Sequence, residues 1–188
     1  MDILLMGPPG AGKGTQGALL AEALGVPKFA TGDLLRDAVR RRTPLGLKAK
    51  AVMEAGHLVG DDLILGVVRE ELARPESARG VVFDGVVRTV PQAEGVDQLL
   101  AERGRSLDAV LYFEVTDEEI LARLDKRRGI EGRPDDDPAA VATRLRVYRD
   151  QTAPVLAWYD ARKLVRRVPA VGPVEEVAGR VRKALNGT

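Results

Sequence analysis

The chain has 188 residues, 45% apolar and 30% charged, and its 29 basic and 28 acidic side chains leave a net charge of +1. One domain with a proper core fits that length, and a disordered chain does not fit that composition. The charge balance argues against a general attraction to nucleic acid or anionic membrane. Cysteine is absent, which removes disulfides and thiolate sites, a zinc cluster included, and is compatible with a reducing cytoplasm. Arginine far outnumbers lysine; its planar fork suits phosphate, although a GC-rich genome gives the same bias.

Apolar runs of strand length alternate with amphipathic stretches of helix length, the pattern of parallel βαβ units. The opening Met1-Asp2-Ile3-Leu4-Leu5-Met6 has no basic leader or small-residue cleavage site and reads as a first strand over 2–6. Further strands are expected over 28–30, 80–83, 109–115 and 164–168, with helices over 14–24, 32–41, 63–72, 90–103, 117–127, 138–162 and 174–185. Thr116 with Glu119 has the spacing of a capping box, and Asp137-Pro138 places an N-cap acid before an N1 proline. Two segments break the rhythm: 31–60 is mostly helical and long for one crossover, and 127–137 is a polar loop. Interruptions of this kind on an α/β sheet are often mobile flaps at the ligand edge or plain surface decoration. No apolar stretch approaches the ~18 residues that span a bilayer.

Chemistry enters at Gly7-Pro8-Pro9-Gly10-Ala11-Gly12-Lys13-Gly14-Thr15, which follows the first strand and opens a helix. Its glycine, four-residue, glycine-lysine spacing is that of a Walker A loop. Backbone N–H groups from Gly10 to Thr15 form an anion nest, the helix dipole adds to it, and Lys13 supplies a mobile charge for outer phosphates. Asp84 ends the apolar run Val81-Val82-Phe83, the place of an acid that holds Mg²⁺ through waters, with the Thr15 hydroxyl as a second candidate. A phosphate loop alone does not separate a kinase from a GTPase or a regulatory ATPase.

The string through Lys13-Gly14-Thr15 resembles that of adenylate kinases. The resemblance continues through Thr31-Gly32-Asp33-Leu34-Leu35-Arg36, Leu58-Val59-Gly60-Asp61-Asp62, Phe83-Asp84-Gly85, Arg88-Thr89, Gln92-Ala93-Glu94, Gly132-Arg133, Asp135-Asp136, Arg144-Leu145 and Tyr148 to Tyr159. It implies an α/β P-loop NTPase fold of three layers, α/β/α, around a parallel sheet. A helical insert over 30–59 would bind the acceptor, and a short lid over 126–136 would lack the zinc cysteines of longer forms. The implied reaction is MgATP + AMP ⇌ MgADP + ADP. Lys13, Asp84 and the arginines Arg88, Arg123, Arg127, Arg133 and Arg144 are the implied catalytic set; Arg123, Arg127 and Gly172 would also meet ATP. AMP would touch Thr31, Arg36, His57, Leu58, Val59, Gly85, Val86, Val87, Arg88, Gln92, Arg133 and Arg144. Thr31 also sits where it can cap its helix, and the Gln92 amide can pair with donor and acceptor on an adenine edge. Mg²⁺ with ATP is the expected cofactor, and a cytoplasmic monomer without nucleic-acid or membrane partners is expected.

The sequence departs from the family at Val86-Val87, where a Phe-Pro pair is usual, at Ala30 for serine and at Gly60 for proline. A cis bond before valine costs about 2.5–4 kcal/mol against about 0.5–1 before proline, so a trans Val86–Val87 bond is expected. A kinase for UMP or CMP is the nearest rival, and a nucleotide-binding module without catalysis is a rival of another class.

Overall fold

Asp2–Met6 forms strand β1, and all of its residues are buried. An apolar run without a polar face belongs to a parallel strand covered on both sides. The pairing agrees: β1 lies between β3 (Val81–Asp84) and β4 (Ala109–Glu114), parallel to both. With β2 (Lys28–Ala30) and β5 (Val165–Pro169) these strands make one parallel sheet in the order β2-β3-β1-β4-β5. This computed structural model describes residues 1–187, apart from the side chains of Leu45 and Pro134.

Successive side chains of β1 face opposite ways. Ile3 and Leu5 join Leu20 of α1 (Lys13–Leu24) and Val177 and Val181 of α9 (Val174–Asn186). Leu4 and Met6 join Val68 of α4 (Asp61–Leu72), Val96 and Leu100 of α5 (Val90–Ala101) and Val155 of α8 (Ala153–Asp160). The outcome is the expected three-layer α/β/α fold. Burying each such side chain contributes about 1.5–3 kcal/mol, so a charge at Ile3 or Leu4 would dismantle one face of the sheet.

The segment after β2 holds two helices, α2 (Thr31–Arg40) and α3 (Pro44–Glu54). They are divided at Thr43, whose hydroxyl accepts the Gly46 N–H at 3.1 Å, with Pro44 in the first turn. Thr116 and Asp137 cap as expected: Thr116 accepts the Glu119 N–H and Asp137 the Ala139 N–H. Glu119 does not reach back as a capping box requires; its carboxylate takes Arg123 instead.

Two sequence expectations need correction. Helix α6 (Asp117–Glu131) runs four residues beyond its expected end, into the stretch read as a loop, and stops where Gly132 turns left-handed (φ 58°). The expected single helix over 138–162 is α7 (Pro138–Val147) and α8, joined by one π turn at Tyr148–Thr152. Pro154 lacks an N–H and its ring clashes with the carbonyl four residues back, which the wider turn relieves. No peptide bond among the described residues is cis, so the Val86–Val87 bond is trans as expected. Among the described residues no helix is long and apolar enough to cross a membrane.

Candidate active site

Beyond Met6 the chain turns through Gly10 (φ 81°) and Gly12 (φ 88°), a backbone region that side-chain-bearing residues rarely adopt. Gly12 is the N-cap of α1 and no side chain caps it, so the first N–H groups of the helix are left to meet an anion. The Lys13 Nζ folds back and donates to the carbonyls of Gly7 (2.7 Å) and Pro8 (2.9 Å).

In front of this loop, at the carboxyl edge of the sheet, opens a cleft of about 450 Å³. Its walls carry Gly10, Ala11, Gly12, Lys13, Gly14 and Thr15, then Asp84 and Arg88 from the end of β3 and the loop after it. Arg123, Arg127, Arg133 and Arg144 close it from α6, the α6–α7 connection and α7. A second pocket lies beside it under α2 and α3, lined by Thr31, Arg36, His57, Leu58, Val59, Gly85, Val86, Arg88, Gln92 and Arg144. Arg36, Gly85, Arg88 and Arg144 belong to both, so the two cavities share a wall of guanidiniums.

Three sequence expectations are placed elsewhere. Arg133 lines the first cleft and not the pocket of Thr31 and Gln92, and Val87 is buried with its neighbour Val86 in the core. Gly172 lines neither cavity; it is exposed in the β5–α9 loop, whose Ala170 carbonyl accepts from Arg123 at 2.8 Å. Arg123 therefore reaches that loop, while Gly172 itself stands off the cleft.

Charge in the cleft is unevenly compensated. Arg127 makes a two-pronged pair with buried Asp136, and Arg144 donates to the same carboxylate (3.0 Å) and lies 3.1 Å from Asp135. Arg36 donates to Asp33 at 2.6 Å and comes within 3.6 Å of Asp135, while Arg133 pairs with Glu131. Lys13 and Arg88 have no carboxylate within 4.0 Å among the described residues. Burial, and then the surrounding arginines against the pull of Asp84, lower Lys13 to about 8. Arg88 falls to about 10 through burial and then the adjacent Arg144. Burial would push the Asp136 carboxyl up, but the Arg127 and Arg144 contacts outweigh it and hold the carboxyl low. The unpaired cations at the centre are thus the ones whose charge is held least firmly, and a phosphate would relieve them.

The second pocket is stitched from short polar contacts. Thr31 does not cap α2, whose N-cap is Ala30 without a side-chain bond; its buried hydroxyl donates to the Gly85 carbonyl at 2.8 Å. Gln92 is 1% exposed, and its amide is engaged on both sides: Nε2 donates to Asp61 Oδ1 (2.8 Å) and Oε1 accepts the Arg88 N–H (2.7 Å). Thr152, in the π turn, donates to the Arg88 carbonyl at 2.9 Å. His57 is exposed at the rim.

Sequence reasoning missed Asp61, Thr152, Asp135 and Asp136 as site residues. The adjacent acids between Arg127 and Arg144 were a usable signal, since cationic helices converging on a site require counter-charge. Nothing local marks Asp61 or Thr152, because their partners are distant in the chain.

A family model described as adenylate kinase matches residues 5–164. The chain is 50% identical over 212 residues to an adenylate kinase of Gemmatimonas aurantiaca, with 98% of this chain and 99% of that protein covered. It is 49% identical over 183 residues to one of Thermus thermophilus, covering 97% of this chain and 96% of that protein. It is 45% identical over 193 residues to one of Methylobacterium nodulans, covering 100% and 97%.

Proposed function

The chain belongs to the adenylate kinase family and is an ATP:AMP phosphotransferase, and we propose that transfer takes place across the guanidinium wall shared by its two cavities. ATP would lie with its phosphates on the Gly10–Thr15 nest and Lys13, and AMP would lie in the pocket under α2 and α3. The observation that carries this reading is that Arg36, Arg88 and Arg144 line both cavities while Lys13 and Arg88 have no carboxylate partner among the described residues. An oxygen of the AMP phosphate attacks the γ-phosphorus, the bond to the β–γ bridging oxygen breaks, and ADP leaves with that electron pair. The acceptor oxygen is already ionised, so no side-chain base is needed. Positioning and neutralisation of charge on the moving phosphoryl supply the acceleration.

Asp84, at the end of β3 and 3.6 Å from where a Cβ on Gly14 would stand, is a single carboxylate facing the loop. One carboxylate with waters and phosphate oxygens fits Mg²⁺, and Thr15 lines the same cleft. Bound there, the ion would neutralise phosphate charge. The segment 30–59 serves as the acceptor-binding insert and 126–136 as the lid, which together exclude water as a competing acceptor. A cytoplasmic monomer fits this reading, in which one chain supplies both cavities.

The test is kinetic. Lys13→Met and Arg88→Ala are each expected to lower kcat by roughly 10²-fold or more without loss of the folded state. Losses confined to KM would reduce both residues to ground-state binding. AMP is expected to exceed CMP and UMP by at least ~100-fold in kcat/KM, since a wrong base leaves buried polar groups unpaired.

A further inference from the structure

Asp61 opens α4, directly after the segment 56–59 that lines the acceptor pocket. Its Oδ1 accepts two hydrogen bonds from the start of α5, one from the Thr89 hydroxyl (3.1 Å) and one from the Gln92 amide (2.8 Å). The other side of that amide accepts the Arg88 N–H. An ionised carboxylate only accepts and a backbone N–H only donates, so the two contacts admit a single orientation of the amide. The reverse orientation would set Oε1 against the carboxylate and the amino group against an N–H. Thr89 tightens the lock: having donated to Asp61, its oxygen accepts the Gln92 N–H at 3.2 Å and fixes the first turn of α5.

Each amide group retains one further capacity, a lone pair on Oε1 and an N–H on Nε2. Gln92 lines the acceptor pocket, and those are what remain for a base. A 6-amino purine presents a donor beside a ring nitrogen acceptor, whereas a 6-oxo purine presents an acceptor at the 6-position. An amide free to turn over would serve both bases; one locked in place serves one. We propose that Asp61 is a positioning residue for base selectivity, which holds the Gln92 amide in the orientation that accepts a 6-amino purine monophosphate and rejects a 6-oxo one. The inference rests on Gln92 reading the acceptor base. Asp61 touches neither base nor phosphate in this scheme and acts wholly through Gln92 and Thr89.

Steady-state kinetics with AMP and inosine monophosphate as alternative acceptors separates this from a structural role. Removal of one of the two orienting contacts by Asp61→Ala is expected to lower the AMP:IMP ratio of kcat/KM about tenfold, with the KM for ATP unchanged. Asp61→Asn, which keeps an acceptor oxygen, is expected to retain most of the ratio. Asp61→Leu, of similar length without the oxygens, repeats the test should the alanine variant fold poorly. If the variants lower kcat/KM for both acceptors equally, or leave the ratio unchanged, Asp61 is only an anchor of α4 and the proposal fails. Gln92→Ala reports on the premise. A ratio that falls in Gln92→Ala but not in Asp61→Ala sinks the Asp61 inference alone; a ratio unmoved in both removes base reading by Gln92 and the inference with it.

Discussion

At Lys13, burial and the guanidiniums of Arg88, Arg144 and Arg127 bring the ammonium down from 10.5 to about 8, with Asp84 opposing them. The two carbonyls that Nζ meets, of Gly7 and Pro8, do not restore the ordinary value. Near pH 8 the ligand-free side chain is therefore about half charged. A phosphate oxygen arriving beside it favours the ammonium and raises its pKa. ATP binding at pH 8 is thus expected to take up about half a proton. Calorimetry in buffers of different ionisation enthalpy measures that uptake, and the Lys13→Met variant is expected to abolish it. Equal uptake in both proteins would place the proton on another group. The same shift acts on folding. Between about 8 and 10.5 the unfolded chain holds the proton more tightly than the folded one, so this lysine adds stability as pH rises through that window. Lys13 trades stability at neutral pH for readiness to bind an anion.

The connection after α3 shows the same economy at the scale of an element. Gly56 sits at φ 78°, and a Cβ there would come to 2.7 Å of the Ala140 carbonyl and 3.0 Å of the Arg144 side chain, so α3 ends hard against the helix that carries a wall arginine. Gly56→Ala is expected to act twice. The left-handed backbone costs an alanine about 1–2 kcal/mol, which lowers Tm by roughly 2–8 °C in a chain of this size. The clash displaces α7, and a misplaced Arg144 lowers kcat/KM for AMP by at least roughly tenfold. Gly104→Ala is the control, because among the described residues nothing lies within 4 Å of a Cβ added at Gly104 (φ 66°). It is expected to lose similar stability and keep its activity, as thermal unfolding and kinetics well below Tm would show. Matching activity in the two variants would mean that the α3–α7 contact carries no catalytic weight. Packing of this kind was not legible in the sequence. The strands were, because burial on both faces leaves uninterrupted apolar runs such as Ile3–Met6 and Val81–Phe83. The phosphate loop was legible too, since its chemistry is contiguous. The π turn before α8 was hidden because Pro154 can start a helix as readily as break one, and the end of α6 because its polar last turn reads like a loop. Gln92 was singled out for its amide, yet the carboxylate that orients it stands on another helix, 31 residues earlier in the chain.

Across the whole molecule the net charge is only +1, but the carboxyl edge of the sheet gathers a strong local excess of cations. Burial first, and that crowding after it, lowers Lys13, Arg88 and Arg144 together. The acids Asp135 and Asp136 offset part of it, and Asp135 also reaches Arg36 at 3.6 Å, from the α6–α7 connection to α2. At that distance, with the Arg36 side chain 29% exposed and Asp135 largely buried, the contact contributes about 1 kcal/mol or less and ties the α6–α7 connection to α2 only loosely. On the proposed reading, anions that bridge the two cavities hold the segments 30–59 and 126–136 together. If the cavities face one another across Arg88 and Arg144, one molecule carrying two adenosines joined by a phosphate chain fills both and gains about 10²–10⁴-fold over either nucleotide alone. At a concentration 100 times its own Kd such a compound stabilises the protein by about 2.7 kcal/mol, a rise in Tm of roughly 5–11 °C. ATP or AMP at that same concentration, bound at least about 100-fold more weakly, stabilises by only about 0.4 kcal/mol and raises Tm by about 1 °C. Thermal unfolding with the three ligands at one concentration decides the matter. A bridged compound no better than ATP would mean that the cavities are not occupied together, and the shared arginine wall would then lose its place as the path of transfer.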